Sequence, residues 1–179
     1  NAYTVSQGTS GTLTFTNTDG VTSSPAYAIA ASGDHTISAP VVIGTTGLNA
    51  SAAAGGSLTF SGPVSGGALT VGGGGAVVLA GAFSGSAASV ASGTLRLVDG
   101  GGLGGTAVSL SPGGVLELAR SDSFTFANNV TGLTASPVAP VASANATLRM
   151  AGTGTVTLSG NNLLGTNAGA GLFITSGKV

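Results

Sequence analysis

The chain has 179 residues, 42% of them apolar and only 5% charged, with a net charge of -1 and no cysteine. That length suits one domain with a continuous core, and the composition excludes disorder, since disordered chains are poor in apolar residues and strongly charged. It also excludes a basic surface for nucleic acid or anionic lipid, and any disulfide or thiol chemistry.

Asn1 stands where an initiator methionine would, so a processed chain or a fragment of a longer one is expected. No signal-peptide pattern is present, and no stretch approaches the roughly 18 apolar residues of a membrane helix. Helix formers are scarce and glycine, 33 residues in all, interrupts every window of helical length.

Alternation of period two is the dominant signal. In chain order the apolar pairs are Leu13/Phe15, Tyr27/Ile29, Leu58/Phe60, Leu69/Val71, Val77/Leu79, Leu95/Leu97, Val108/Leu110, Leu116/Leu118, Phe124/Phe126, Leu148/Met150 and Val156/Leu158. The paired residues are expected to face a core, and those between them, such as Thr70, Arg96, Glu117 and Thr157, to face outward. A further strand is expected around Val90. Short strands at such spacing, separated by glycine, fit a sandwich, a barrel or a solenoid.

Internal repetition favours the solenoid. "ALTVGGGGAVVLAGAFSG", Ala68 to Gly85, and "TLRMAGTGTVTLSGNNLLG", Thr147 to Gly165, share small-Leu-polar-apolar, a spacer ending in glycine, then small-Val-small-Leu-small-Gly. A fainter copy lies at "GSLTFSGPVSGG", Gly56 to Gly67. Glycine at the corners would take positive φ and let neighbouring coils approach.

These residues carry a family resemblance. Ala68 to Leu118 resembles the autotransporter-associated β-strand repeat, and "ATLRMAGTGTVTLSGNN", Ala146 to Asn162, is its closest match here; His35 to Gly67 is similar to segments that precede such repeats. The resemblance implies an all-β, right-handed parallel β-helix with glycine-rich corners and little or no helix, in a secreted or surface protein of bacteria, often an adhesin or long fibre. A C-terminal translocator barrel is not expected within these residues, since its membrane strands and aromatic girdles would need far more chain.

One solenoid domain is therefore expected over 1–179. Residues 1–34 form N-terminal rungs or an assembly segment, 35–126 the best repeats, 127–145 a loop excursion and 146–179 C-terminal rungs. Roughly eight rungs would make a rod about 40 Å long.

Candidate chemistry reduces to a few places. Asp34 and His35 could belong to a triad, but strand neighbours point to opposite faces and no Gly-x-Ser-x-Gly elbow exists; a turn and a strand are expected. "GGGLGG", Gly100 to Gly105, has dinucleotide-loop spacing but is followed by another strand rather than the required helix. "SGKV", Ser176 to Val179, lacks the rest of a P-loop.

Glu117 and Asp122, with Arg120 between them, are the one close pair of acids that could serve glycoside hydrolysis; an ion-pair cluster on the coil wall, with Glu117 facing solvent, is expected instead. A metal site needs several clustered ligands, and the calcium-binding G-G-x-G-x-D unit does not occur. Thr12, Thr14 and Thr16, and Thr153, Thr155 and Thr157, could bind ice or glycan, but threonine is also a good strand former. Asn49, Asn129 and Asn145 head glycosylation sequons, which a bacterial source leaves bare.

No catalytic, cofactor-binding or metal-ligating residue is assigned. The expected role is a secreted structural protein forming or extending a cell-surface or extracellular fibre by stacking rungs. The second reading is an adhesin or carbohydrate-binding passenger module, and the third a polysaccharide-acting β-helix enzyme. Expected partners are a further copy, head to tail, or the rest of a longer passenger, and a surface glycan; nucleic acid and membrane insertion are not expected. Neither "AYTVS" near the start nor "LFITS" near the end carries a charge that would stop strand pairing.

Overall fold

The computed structural model describes residues 2–17, 24–132 and 146–163, with 163 and 171–174 described as strand backbone only. Among them every regular element is a strand, every strand pairing is parallel, and no helix occurs. The chain winds through three sheets in turn, a parallel β-solenoid, as the internal repetition led us to expect.

The first coil is β1 (Tyr3–Val5), β2 (Leu13–Phe15) and β3 (Ala26–Ala30). Next come β4 (Asp34–Ile37), β5 (Val41–Ile43) and β6 (Leu48–Ala52), then β7 (Ser57–Phe60), β8 (Val64–Gly66) and β9 (Leu69–Gly73). They are followed by β10 (Ala76–Leu79), β11 (Phe83–Gly85) and β12 (Ala88–Val90), then by β13 (Gly93–Leu97) and β14 (Val108–Leu110). The later coils hold β15 (Gly114–Leu118), β16 (Phe124–Phe126) and β17 (Val130–Gly132), then β18 (Thr147–Met150), β19 (Val156–Leu158) and β20 (Asn162–Leu163), and finally β21 (Gly171–Ile174).

The first sheet has eight strands, β1-β4-β7-β10-β13-β15-β18-β21, and the third has seven, β3-β6-β9-β12-β14-β17-β20. The second is split into β2-β5-β8-β11 and β16-β19. At the break the chain makes only a bridge, Ala82 to Gly102, and Leu103 turns inward in place of a strand residue, buried in the core.

Stacking in register aligns like with like. Leu58, Val77, Leu95, Leu116 and Leu148 occupy one inward column of the first sheet, and Phe60, Leu79, Leu97, Leu118 and Met150 the next. All ten are buried in one continuous core that also takes in Phe83, Phe126, Val130 and Val156, with Leu158 packed against its side. Fully burying such a side chain contributes about 1.5–3 kcal/mol. The columns therefore bind coil to coil, in addition to the hydrogen bonds of the ladder.

The tetraglycine Gly72–Gly75 is a corner between β9 and β10. Gly73 sits at φ +88°, and a Cβ there would lie 2.2 Å from the carbonyl oxygen of Ala52 in the preceding coil; at Gly75 it would lie 2.2 Å from that of Ala53. Flexible residues stand between apolar strands because only a residue without a side chain turns this sharply against a neighbouring backbone.

Three expectations change. Tyr27 and Ile29 point outward, 62% and 66% exposed, while Ala28 and Ala30 are buried. Pairing with β6 sets this phase, because Ala26, Ala28 and Ala30 lie in register with the buried Leu48, Ala50 and Ala52. The two similar segments also serve different corners. Ala68–Gly85 carries the chain from the third sheet to the first and second, whereas Thr147–Gly165 starts on the first. Their likeness is that of one strand–corner–strand device used at two places. Finally, β17 pairs with β14 and Val130 is buried, so the coil continues through residue 132 where an excursion from 127 was expected; residues 133–145 lie outside the described ones.

Candidate functional site

Two places concentrate side-chain chemistry: the outer wall of the first sheet, and the mouth of the first coil. On the wall, strand alternation turns Thr4, Thr36, Thr59, Val78, Arg96, Glu117 and Arg149 outward in one row. Glu117 bonds to both flanking arginines: Arg96 Nε donates to Glu117 Oε1 and Arg149 Nη2 to Glu117 Oε2. Its orientation is as expected but its exposure is not. Glu117 is only 3% exposed, because the two longer side chains close over it from the adjacent strands.

Asp122 does not join Glu117. Both its oxygens take hydrogen bonds from Arg120, from Nε at 2.8 Å and from Nη2 at 2.6 Å. The remaining nitrogen, Arg120 Nη1, donates to the carbonyl of Gly101, and the guanidinium lies 4.3 Å from the Phe124 ring centroid, a cation–π contact. One coil earlier, Asp99 accepts from the backbone N–H of Ser121 at 2.6 Å and from its hydroxyl. Hydrogen bonds from Ser121 lower the Asp99 carboxyl below its ordinary value; the bond from Arg120 lowers that of Asp122, and Asp122 in turn raises Arg120. Six of the chain's nine acidic and basic residues thus lie in this region, three of each sign; five of them pair among themselves, while Asp99 is held by Ser121. The expected ion-pair cluster is present, but as two separate sets. The carboxylates that would have to work together in a glycosidase each have their own partner.

At the mouth, Asp34 and His35 part company as strand geometry requires. Asp34 accepts from Ser57 Oγ at 2.8 Å on the wall. His35 sits in the inward column above Leu58; its Nδ1 accepts from the backbone N–H of Tyr3 at 3.2 Å, so its Nε2 carries the proton given to the Ser32 carbonyl, 2.7 Å away. The Tyr3 ring stacks on the imidazole with centroids 5.6 Å apart. Beyond them the column opens into an apolar hollow of about 470 Å³, lined among others by Val5, Leu13, Phe15 and Ile29.

"GGGLGG" forms the break in the second sheet, with Leu103 as its core anchor. Its neighbourhood contains a polar device that the sequence reading missed. Asn128, 5% exposed, donates through Nδ2 to the carbonyls of Gly104 at 2.9 Å and Thr106 at 2.8 Å, and the Thr106 hydroxyl donates to Gly85 at 2.8 Å. The signal was parity: Asn128 falls on the same side as Phe126 and Val130, both buried.

The threonines Thr12, Thr14 and Thr16 run along one strand direction and are exposed, as are Thr153, Thr155 and Thr157. Rows across coils form elsewhere. On the third sheet Tyr27, Asn49, Thr70, Ser89, Ser109 and Thr131 align outward, with Ser89 Oγ donating to Thr70 Oγ1 at 3.0 Å. Asn49 belongs to that row, Asn129 is exposed with its Oδ1 accepting from the Asn161 N–H, and Asn145 and Ser176 to Val179 lie outside the described residues.

Among the described residues no three of His, Cys, Asp and Glu gather as a metal-holding group, and no helix is long and apolar enough to cross a membrane. Comparison with protein-family models, with curated proteins and with solved structures returned no match.

Proposed function

We propose that this chain is a structural component of a secreted or cell-surface fibre or adhesive layer, and that its function is the rod it forms. The observation carrying this reading is the inward column Leu58–Val77–Leu95–Leu116–Leu148, which runs through the coils without a polar interruption. A solenoid so stacked gives length and stiffness, and its few charges neutralise one another. The resemblance of Ala146 to Asn162 to autotransporter repeats supports an extracellular setting and a non-enzymatic role. Labelling intact source cells with an antibody to this chain tests it. Label along fibres or a layer outside the cell is expected, and label confined to the cytosol would overturn the reading.

A second reading, a module that holds a neutral glycan, is favoured by the uncharged hydroxyl and amide row on the third sheet ending at the exposed ring of Tyr27. Retention on insoluble neutral polysaccharide, lost in Tyr27→Ala and insensitive to salt, would support it.

A further inference from the structure

We propose that residues 99–107 form a strap that opens on its own while the coils before and after it stay joined, a joint built into one side of the rod. This goes beyond the structural role above, which requires no such break.

The interruption is confined to one sheet. β10, β13 and β15 pair in succession in the first sheet, and β12, β14 and β17 in the third. In the second, β8 and β11 pair over three residues. The strap offers β11 a single bridge, with the Phe83 N–H donating to the Gly102 carbonyl at 2.8 Å. Toward β16, among the described residues, every hydrogen bond of the strap involves a side chain. Asn128 Nδ2 donates to the carbonyls of Gly104 at 2.9 Å and Thr106 at 2.8 Å, and Arg120 Nη1 to that of Gly101. Asp99 accepts from the N–H and hydroxyl of Ser121. No ladder couples these bonds, so each can be released singly.

The strap is as thinly anchored in the core. Between Asp99 and Ala107 only Leu103 and Thr106 bury a side chain, and five of the nine residues are glycine. A Cβ added at Gly102 or Gly105 would meet nothing within 4 Å, whereas one at the corner residues Gly73 or Gly75 would strike a neighbouring carbonyl. Segments with few buried apolar contacts and few backbone hydrogen bonds open below the limit set by global unfolding. Both ends of this one are fixed, since Leu97 and Val108 are buried in strands of the two unbroken sheets. Opening therefore withdraws Leu103 and leaves the rod intact. Asn128, placed between β16 and β17 and holding two strap carbonyls, is the latch.

The chain has no cysteine, so an introduced thiol reports without background. Leu103→Cys and Leu97→Cys each put one thiol at a buried leucine position of the whole chain, the first on the strap and the second on β13. Reaction with a soluble aromatic disulfide, normalised to the rate in denaturant, reads how often each is uncovered. Leu103→Cys should react about tenfold faster or more, because local opening costs less than global opening. Adding Asn128→Ala should accelerate Leu103→Cys by about a further tenfold, through loss of the latch bonds, and leave Leu97→Cys unchanged. Equal rates at the two positions, or equal acceleration of both by Asn128→Ala, would overturn the inference, since the strap would then open only with the whole rod. Should Leu103→Cys unfold the chain, amide exchange replaces the thiol. The N–H groups of Gly101 and Thr106 close the strap on itself through the carbonyls of Val98 and Leu103. They should exchange faster than β13 and faster still in Asn128→Ala; exchange matching β13 in both chains refutes the joint. Thr106→Val, which removes the hydroxyl bond to Gly85, is a milder second variant expected to act in the same direction.

Discussion

Glu117 becomes buried by a route that alternation alone does not describe. It points away from the core, yet Arg96 and Arg149, 21 and 32 residues away, cover it from the adjacent strands. Outward parity was legible in "TLRL", "VLEL" and "TLRM"; the burial was not, because it depends on which strands become neighbours. Removing one partner of a buried ion pair costs more than the pair is worth, since the other charges remain. Here the charges that remain are Arg96 and Arg149, each more than a third exposed, so Glu117→Ala should lower stability by about 1 kcal/mol rather than the full buried-charge penalty. Replacing Arg96, Glu117 and Arg149 together by apolar residues of similar size should be close to neutral. Denaturant melts of the two variants decide it. Asp99 and Asp122 act differently, because both are held below the ordinary carboxyl value of 3.8 by hydrogen bonds from Ser121 and Arg120. A lowered folded-state value contributes stability that is present above 3.8 and lost as pH falls through the lowered value. Melts should be flat at neutral pH and decline in that acid window. Asp122→Asn should flatten the decline; an unchanged acid limb would mean the pair contributes nothing.

At the level of elements, strands were readable where two large apolar residues bracket a small or polar one, as in β7, β13 and β15. The second sheet was the least readable, since "VSG" in β8 and "FSG" in β11 offer one large inward residue each and end in glycine. Tyr27 and Ile29 misled for a related reason. Alternation gives two possible phases, and here the sheet chooses the one that puts alanines inside, so hydrophobicity loses to register. Gly73→Ala should cost about 2 kcal/mol or more, combining a left-handed backbone with a Cβ in contact with the Ala52 carbonyl. Gly105→Ala, where a Cβ meets nothing within 4 Å, should stay within about 0.5 kcal/mol of wild type. Equal effects at the two positions would show that the corner geometry does not limit stability. Leu103→Ala should cost roughly 2–5 kcal/mol despite its place in a glycine run, because it fills the break in the second sheet.

For the molecule as a whole, the strand pairings among the described residues join each coil to the next, so stability is distributed as in other solenoids. Hydrogen exchange should be slowest in β10, β13 and β15 and fastest in β1 and β2, where Tyr3 and Val5 are exposed and Leu13 and Phe15 only partly buried. Uniform protection from β1 to β15 would mean that the first coil is covered in solution. The step from Leu58 to Val77 takes 19 residues and that from Val77 to Leu95 takes 18, and each returns the same kind of residue to the same place. Later steps take 21 and 32 residues, yet Leu116 and Leu148 still fall in the same column, so the rod is counted in coils and not in residues. A gene that duplicates residues 58–76 inserts one whole increment, about 4.8 Å of added length, with no side chain changing faces. A duplication of half that segment would put strands of one sheet opposite those of another and should fail to fold. Length in such a protein can be gained or lost by unequal recombination in whole coils, without redesign of the core.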